Sequence, residues 1–392
     1  VNQRHLSNGM NFKGQSGEFF GIWIVNILLS IITLGLYSPW AKVRTMRYFY
    51  GNTFLNGDNF EYHATPYQIL KGRLLALAIM TMFVIVNLFS PSVSQILIFI
   101  FYLAIPWFMW SNARFDAAMT SYRNVHFSFN ASCADAYAVI LGRVIVAFAI
   151  FFGLGILFSV VVKILPHHYM QAITIIYIVM IAPVIIALYA WLFSGVKNYF
   201  VNGYQYGNLK FSASLETGFF SQLFFKAFAI SAVLMSITAM VILSVRSSFF
   251  MSTQSHLLLM RSFDTALFAL IFIPALLLVA VVQSYITVRT QNYILSQLQL
   301  NITEQEEPNY QFKSTLKVED HLWLTASNIL IQIFTLGLAR PWVMVRTAHY
   351  VMNNTMVIGD LEQLKAIGQA TPDKSAFSDE VAQAYNIDLG IG

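Results

Sequence analysis

Residues Thr33–Asp58 read TLGLYSPWAKVRTMRYFYGNTFLNGD, and residues Thr335–Asp360 read TLGLARPWVMVRTAHYVMNNTMVIGD. The two stretches align without a gap. Leu34, Gly35, Pro39, Trp40, Arg44 and Tyr48 return as Leu336, Gly337, Pro341, Trp342, Arg346 and Tyr350. An apolar block precedes each copy, at 19–36 and 320–338, and a long apolar middle separates them. How the two copies sit relative to that middle decides the fold.

The middle belongs in a membrane. Apolar residues make up 57 % of the 392-residue chain and charged residues only 10 %, whereas soluble chains carry roughly 25 % charge. The apolar residues also come in blocks long enough to cross a bilayer. Spans are expected near 74–90, 95–112, 144–162, 170–191, 227–245 and 265–286. Pro91 and Ser92 turn the first pair, Lys163 to His168 the second, and a longer loop from Arg246 to Arg261 the third. Pro106, Pro183 and Pro274 fall inside the returning helices, where a proline is tolerated and kinks the helix. The net charge of +5 is small and sits beside apolar blocks, so it reads as a topology signal and not as a nucleic-acid footprint. A single cysteine, Cys133, excludes an internal disulfide and a cysteine-based metal cluster. No cleavable signal peptide is expected, because the first apolar block lacks a small-residue cleavage site.

The connectors between hairpins echo one another. FEYHAT, FNASCA, FSASLE and FKSTLK begin at Phe60, Phe129, Phe211 and Phe312 and read as one degenerate helix-start motif, with Phe12 opening a fifth copy. Asn56-Gly57 is a tight-hairpin signal. The expected fold is an all-α polytopic membrane protein with internal helix-hairpin repeats and short β-like cytoplasmic connectors. It divides into an N-terminal repeat motif at 12–62, a six-span core in three hairpins at 63–296, a C-terminal repeat motif at 309–360 and a polar tail at 361–392, all within one membrane domain spanning 1–392.

Topology follows from a conflict. The connectors hold most of the Lys and Arg, which places them in the cytoplasm. If both terminal blocks crossed fully, Arg44 and Arg346 would land on opposite sides, although they occupy the same motif. Both fit on one side if the terminal blocks enter the membrane and return, with TLGL as the turn. Such backbone needs shielding by protein or a cavity. The preferred arrangement has six full spans, two half-entering ends and cytoplasmic termini. The alternative has eight spans and both termini outside.

Candidate chemistry is sparse. Trp40, Arg44 and Tyr48, with Trp342, Arg346 and Tyr350, are placed to hold lipid phosphate or an anionic solute at the membrane face; the plainer reading makes them belt residues that set helix height. Asn26 and Asn328 sit at equivalent places in the terminal apolar blocks, as helix glue or as the polar lining of a cavity. Asp58 and Asp360 follow glycine in turns, and would form a carboxylate pair only if they converge. Arg114 and Asp116 read as a charge pair at a span end. His167-His168 is a weak metal signal, and the run from Glu304 to Glu307 reads as a solvated loop. No phosphate-cradling loop, zinc-protease motif or serine-hydrolase elbow is present, so no catalytic residue, metal or cofactor is expected.

The TLGLYSPWAKVRTMRYFYGNT block, followed by FLNGDNFEY, resembles the YjgN-like family of bacterial inner-membrane proteins, whose function is uncharacterised. The second copy departs from the first, with Met344 where the first has Lys42 and His349 where it has Arg47. The resemblance implies a multi-pass protein of a bacterial inner membrane and supplies no site residues. Two functions stay open beside a membrane enzyme acting on lipid, for which no set of nucleophile, base and metal ligands appears. One is transport of a small solute or lipid, suggested by the repeats and broken terminal helices. The other is a structural or regulatory role, binding phospholipid or protein partners through the connectors. A polar cavity lined by Asn26, Asn328 and the proline kinks would favour the first, and a solid apolar core with a basic plate the second.

Overall fold

The computed structural model describes residues 7–252, 257–302 and 310–361, with side chains for all of these except 167, 245–273 and 302. Strand, helix, helix, strand recur five times along them. The first unit is β1 (Ser7–Phe12), α1 (Ser16–Ile32), α2 (Ser38–Gly51) and β2 (Thr53–Leu55). The second is β3 (Asp58–Tyr62), α3 (Pro66–Phe89), α4 (Pro91–Met119) and β4 (Thr120–Tyr122). The third is β5 (Val125–Phe129), α5 (Cys133–Ile164), α6 (Met170–Gly203) and β6 (Tyr204–Tyr206); α5 contains a π turn at Ala138–Gly142. The fourth is β7 (Leu209–Ser212), α7 (Thr217–Ser252), α8 (Leu257–Gln297) and β8 (Gln299–Ile302). The fifth is β9 (Tyr310–Ser314), α9 (Val318–Phe334), α10 (Arg340–Asn353) and β10 (Thr355–Ile358).

The strands close into one antiparallel barrel in the order β1-β10-β9-β8-β7-β6-β5-β4-β3-β2. Each unit pairs its own first and last strands, with Met10 opposite Leu55, Phe60 opposite Tyr122, Phe127 opposite Tyr206, Phe211 opposite Leu300 and Phe312 opposite Val357. All of these residues belong to one apolar core inside the barrel. Rings fill the lumen: Phe60 stacks on Tyr122 at 4.9 Å, Phe127 lies 5.0 Å from Tyr206, and Phe211 lies 5.9 Å from Phe312. Buried phenols need partners, and they find backbone carbonyls. The hydroxyl of Tyr122 donates to Leu55 O at 2.8 Å, that of Tyr206 to Tyr122 O at 2.9 Å, and that of Tyr310 to Asp360 O at 2.9 Å. Burial pushes all three phenol pKa values up.

The first three units join through tight turns. Asn56 and Gly57 both have positive φ, 50° and 91°, as do Arg123 and Asn124 at 50° and 60°. Two successive left-handed residues make the mirror-image turn whose twist matches paired strands. The fifth junction is made by the ends of the described chain, since β10 pairs with β1 and closes the ring. Helical hairpins project from the barrel, and α1 packs against α10, so the ring of hairpins closes as well.

Among the described residues, five helices are long and apolar enough to cross a membrane: α3, α4, α5, α6 and the Thr217–Ser244 part of α7. Little of their apolar surface is buried within the protein, which leaves lipid as its solvent. The sixth expected span, 265–286, lies within helix α8. The loop expected over 246–261 is largely helix, because α7 continues to Ser252 and α8 starts at Leu257. The polar tail beyond Leu361 and the run Glu304–Glu307 fall outside the described residues.

An all-α class describes the hairpins but not the connectors. Strands of three to six residues have no stability alone, and an alternating pattern cannot be read over three residues. Only pairing across distant parts of the chain makes them a barrel. The Phe register also needs a correction. Phe60, Phe211 and Phe312 point inward at one level, but their partners there are Met10 and Phe127, not Phe12 and Phe129. Phe12 and Phe129 lie two residues nearer the following helix and pack among helices.

Candidate functional site: the repeated Trp–Arg–Tyr face

The strand register aligns all five returning helices. Counting back an equal distance from Leu55, Tyr122, Tyr206, Leu300 and Val357 reaches Pro39, Pro106, Ala190, Ser284 and Pro341, all of them buried. The next residue is Trp40, Trp107, Trp191, Tyr285 or Trp342. The repeat therefore extends to a ring of amphipathic aromatics at one height, three of which the two-copy comparison missed. Such a ring fits the headgroup level. Pro183 and Pro274 are not equivalent to Pro106; constant spacing from the strands is the signal that separates them.

Seven residues beyond this aromatic ring, the returning helices carry Arg47, Arg114, Asn198, Asn292 and His349. Four of these reach the next unit around the ring. Arg47 Nη2 donates to Ala64 O at 3.1 Å, Asn198 Nδ2 to Leu215 O at 2.8 Å and Asn292 Nδ2 to Leu316 O at 2.9 Å, while His349 Nε2 meets Gly14 O at 2.9 Å. In the remaining seam Trp110 Nε1 donates to Ala131 O at 2.9 Å, and Arg114 lies over the Trp110 ring. Gly14, Ala64, Ala131, Leu215 and Leu316 all stand two residues before their helices begin. Every seam is thus closed by a side chain bound to the same backbone carbonyl.

Tyr48 and Tyr350 close a second kind of lock, within the unit. The hydroxyl of Tyr48 donates to Gln15 O at 2.9 Å, that of Tyr350 to Lys317 O at 2.8 Å and that of Tyr199 to Ser132 O at 2.9 Å. Tyr293 Oη accepts from Glu216 N at 3.0 Å. Each holds the residue just before its unit's first helix. The second unit has Phe115 at this position, without a hydroxyl. There Thr65 and Gln68 form a reciprocal cap at the start of α3 instead.

The arginines are not equivalent. Arg44 is exposed on α2. Arg346 is also exposed, but its Nη1 donates to Ser327 Oγ at 2.9 Å and Asn328 Oδ1 at 3.4 Å. In the third unit Gly195 takes this place, and the guanidinium of Arg143 fills the space a side chain would need; Arg143 donates to Trp191 O and lies 4.7 Å over the Trp191 ring. Trp40 stacks on Tyr37 at 5.9 Å, and Trp342 lies 5.0 Å from Phe20 across the α10–α1 seam. Arg346 and Tyr350 line an open cleft of about 360 Å³ between α9 and α10, with Asp320, Trp323, His349 and Asn354.

Asn26 and Asn328 are 4 % and 7 % exposed. Asn26 Nδ2 donates to Ala41 O at 3.5 Å, and Asn328 Nδ2 to Thr347 Oγ1 at 3.3 Å. Each amide ties an outgoing helix to its own returning helix, and Asn26 Oδ1 is buried without a hydrogen bond.

The TLGL turns satisfy their own backbone. Gly35 N donates to Ser30 O at 2.7 Å, Thr33 Oγ1 donates to Leu29 O and accepts from Tyr37 N, and Ser38 Oγ donates to Gly35 O. The second copy repeats this with Gly337 N on Gln332 O at 2.8 Å and with Thr335 Oγ1 between Ile331 O and Ala339 N. Gly35 and Gly337 take φ of 89° and 84°, which only glycine adopts freely. Around these closed turns Leu34 and Leu336 are 94 % and 92 % exposed.

The other predicted groups are structural in their contacts. Asp58 accepts from Arg123 Nε at 2.5 Å, and Arg123 Nη1 donates to Leu361 O beside Asp360, so the two turns meet at one arginine. Asp116 accepts from Asn112 Nδ2 at 3.2 Å. His167 and His168 lie in a single 3-10 turn, and no group of three or more metal-ligating side chains occurs among the described residues.

This architecture defines a polytopic membrane protein whose helical hairpins radiate from a closed, filled β-barrel. The chain belongs to the family described as "Bacterial protein of unknown function (DUF898)", matched over residues 7–384. It is similar to Inner membrane protein YjgN of Escherichia coli (strain K12), 26 % identical over 383 residues, covering 94 % of this chain and 93 % of that protein. It is likewise similar to Inner membrane protein YjgN of Salmonella typhimurium (strain LT2), 27 % identical over 379 residues, covering 92 % and 91 %. No solved structure matches it.

Proposed function

We propose that the chain is an inner-membrane platform: a solid barrel held at the cytoplasmic face by six spans and two half-entering hairpins, contacting phospholipid through Arg44, Arg346 and the Trp40/Trp342 level. The observation that carries this reading is the filled lumen, since residues from all five units pack into one core inside the barrel. A barrel filled by side chains is a packed body and not a conduit. Its fixed outer wall and turns are suited to holding a partner or regulating one. The basic connectors favour the cytoplasmic side. Transport of a solute or lipid has less support, because Asn26 and Asn328 face their own hairpins instead of a shared cavity.

The half-entering ends rest on lengths. From Trp107 back to Pro91, α4 runs about 24 Å, whereas from Trp40 back to Ser38, α2 runs about 3 Å before the TLGL turn. The exposed leucines of that turn suit hydrocarbon, and pairing within the turn reduces the backbone that must be shielded there.

Leu300→Cys in a Cys133→Ser background, treated with a water-soluble thiol reagent in sealed vesicles of either orientation, tests the platform. It stays unlabelled from both sides if the lumen is solid. Rapid labelling would mark an open lumen and return the transport reading.

A further inference from the structure

We propose that the cleft between α9 and α10 binds one phospholipid whose headgroup carries both a phosphate and a primary ammonium, with the phosphate on Arg346 and the ammonium on Asp320. This rests on the platform reading and names the lipid for one of its two arginines.

Three observations carry it. The first is an arginine already held in place. Ser327 Oγ and Asn328 Oδ1 fix Nη1, and Arg346 Nε and Nη2 make no hydrogen bond among the described residues. A guanidinium fixed in this way offers its remaining donors to phosphate oxygens with little ordering cost. The second is charge order along the cleft. Asp320 is exposed in the first turn of α9, nearer the barrel, while Ser327 and Asn328 lie about 10 Å further along the helix toward the TLGL tip. A lipid lying with its acyl chains beside the tip presents phosphate first and ammonium outermost, which matches Arg346 and then Asp320. The third is shape. Trp323 is 71 % exposed at the cleft and Trp342 is 44 % exposed near the tip, so amphipathic rings wall the path where glycerol and upper acyl chain would pass.

The first copy of the motif lacks this site. Gly21 stands where Trp323 does and Val25 where Ser327 does. Glu18, the counterpart of Asp320, is engaged by the Tyr48 hydroxyl at 3.2 Å. The inference therefore predicts binding at one copy only.

The test uses the full chain, delipidated in detergent and titrated with short-chain phosphatidylethanolamine, phosphatidylglycerol, phosphatidylcholine and inorganic phosphate, with bound lipid read by native mass spectrometry. The expected result is tightest retention of phosphatidylethanolamine. Arg346→Gln weakens it about tenfold or more, and Arg44→Gln leaves it unchanged. Asp320→Asn removes the preference for the ethanolamine over the glycerol headgroup. Ser327→Ala keeps the charge and frees the guanidinium, and lowers retention severalfold with an unchanged melting profile. Equal losses in Arg44→Gln and Arg346→Gln would mean a general belt and overturn the proposal. So would an unchanged Arg346→Gln, an ethanolamine preference that survives Asp320→Asn, or displacement by inorganic phosphate at equal concentration. Loss of the lipid site with Leu300→Cys still unlabelled overturns this site alone and leaves the platform standing.

Discussion

The central and terminal hairpins start from the same barrel by the same seam locks and end at different distances from it. In the central ones the outgoing helix runs on as a continuous apolar rod, 24 residues in α3 and 32 in α5. In the terminal ones α1 and α9 stop after 17 residues at a turn that closes its own hydrogen bonds. The lesson is that the repeat lies in the base: barrel strand, seam lock and aromatic level are shared by all five units and the Tyr lock by four, while helix length beyond that level varies by unit.

Predictions follow from breaking the shared base or the differing ends. The largest effect is expected in the barrel, where Phe127→Ala destabilises the protein by about 3–5 kcal/mol. Because one core serves all five units, central and terminal hairpins should loosen together in hydrogen exchange. A terminal-tip change should act locally. In the proposed half-entering arrangement Leu336→Asp puts a charge in hydrocarbon and costs up to about 3 kcal/mol, read as a lowered melting temperature in nanodiscs, while Asn124→Asp at a barrel turn leaves melting unchanged. An equal response at the two positions would place the tip in water.

Smaller effects probe the locks. Asn198→Ala removes the amide that both donates to Leu215 O and accepts from Leu215 N, for a loss of about 1–3 kcal/mol. Tyr350→Phe removes one hydroxyl lock for about 1 kcal/mol, and Phe115→Tyr gains nothing, since Thr65 and Gln68 already serve that helix start. The gentlest lever is alkali. Burial raises the folded pKa of Tyr122, Tyr206 and Tyr310, so their contribution is complete below the unfolded value of about 10 and is lost as pH rises above it. Melting temperatures should hold steady to about pH 9 and fall beyond pH 10, less steeply in Tyr206→Phe.

Much of this was legible in the sequence. Span-length apolar blocks, the paired TLGL turns, Asn56-Gly57 and the doubled Trp–Arg–Tyr motif are local patterns, and each lies where local chemistry puts it. The barrel was not legible, because three-residue strands such as Thr53–Leu55 and Thr120–Tyr122 carry no period of their own. The roles of Tyr48 and Tyr350 were hidden for a related reason. Their partners, Gln15 and Lys317, are backbone groups thirty-three residues away, and a carbonyl leaves no mark in a sequence. Asn198-Tyr199 and Asn292-Tyr293 repeat as a dipeptide in the sequence, but the seam they close is visible only once the ring is assembled.

The central claim is that the terminal hairpins enter and return. It is tested most directly by single cysteines in the Cys133→Ser background, at Ser7 in β1, Asn354 beside β10, Asn124 in a barrel turn and Ser92 at the far turn of a central hairpin. The account predicts that Ser7→Cys, Asn354→Cys and Asn124→Cys label from the cytoplasmic side only and Ser92→Cys from the opposite side only. Labelling of Ser7→Cys or Asn354→Cys on the same side as Ser92→Cys would mean that a terminal segment crosses the bilayer once instead of returning to its own side, and the account would be wrong.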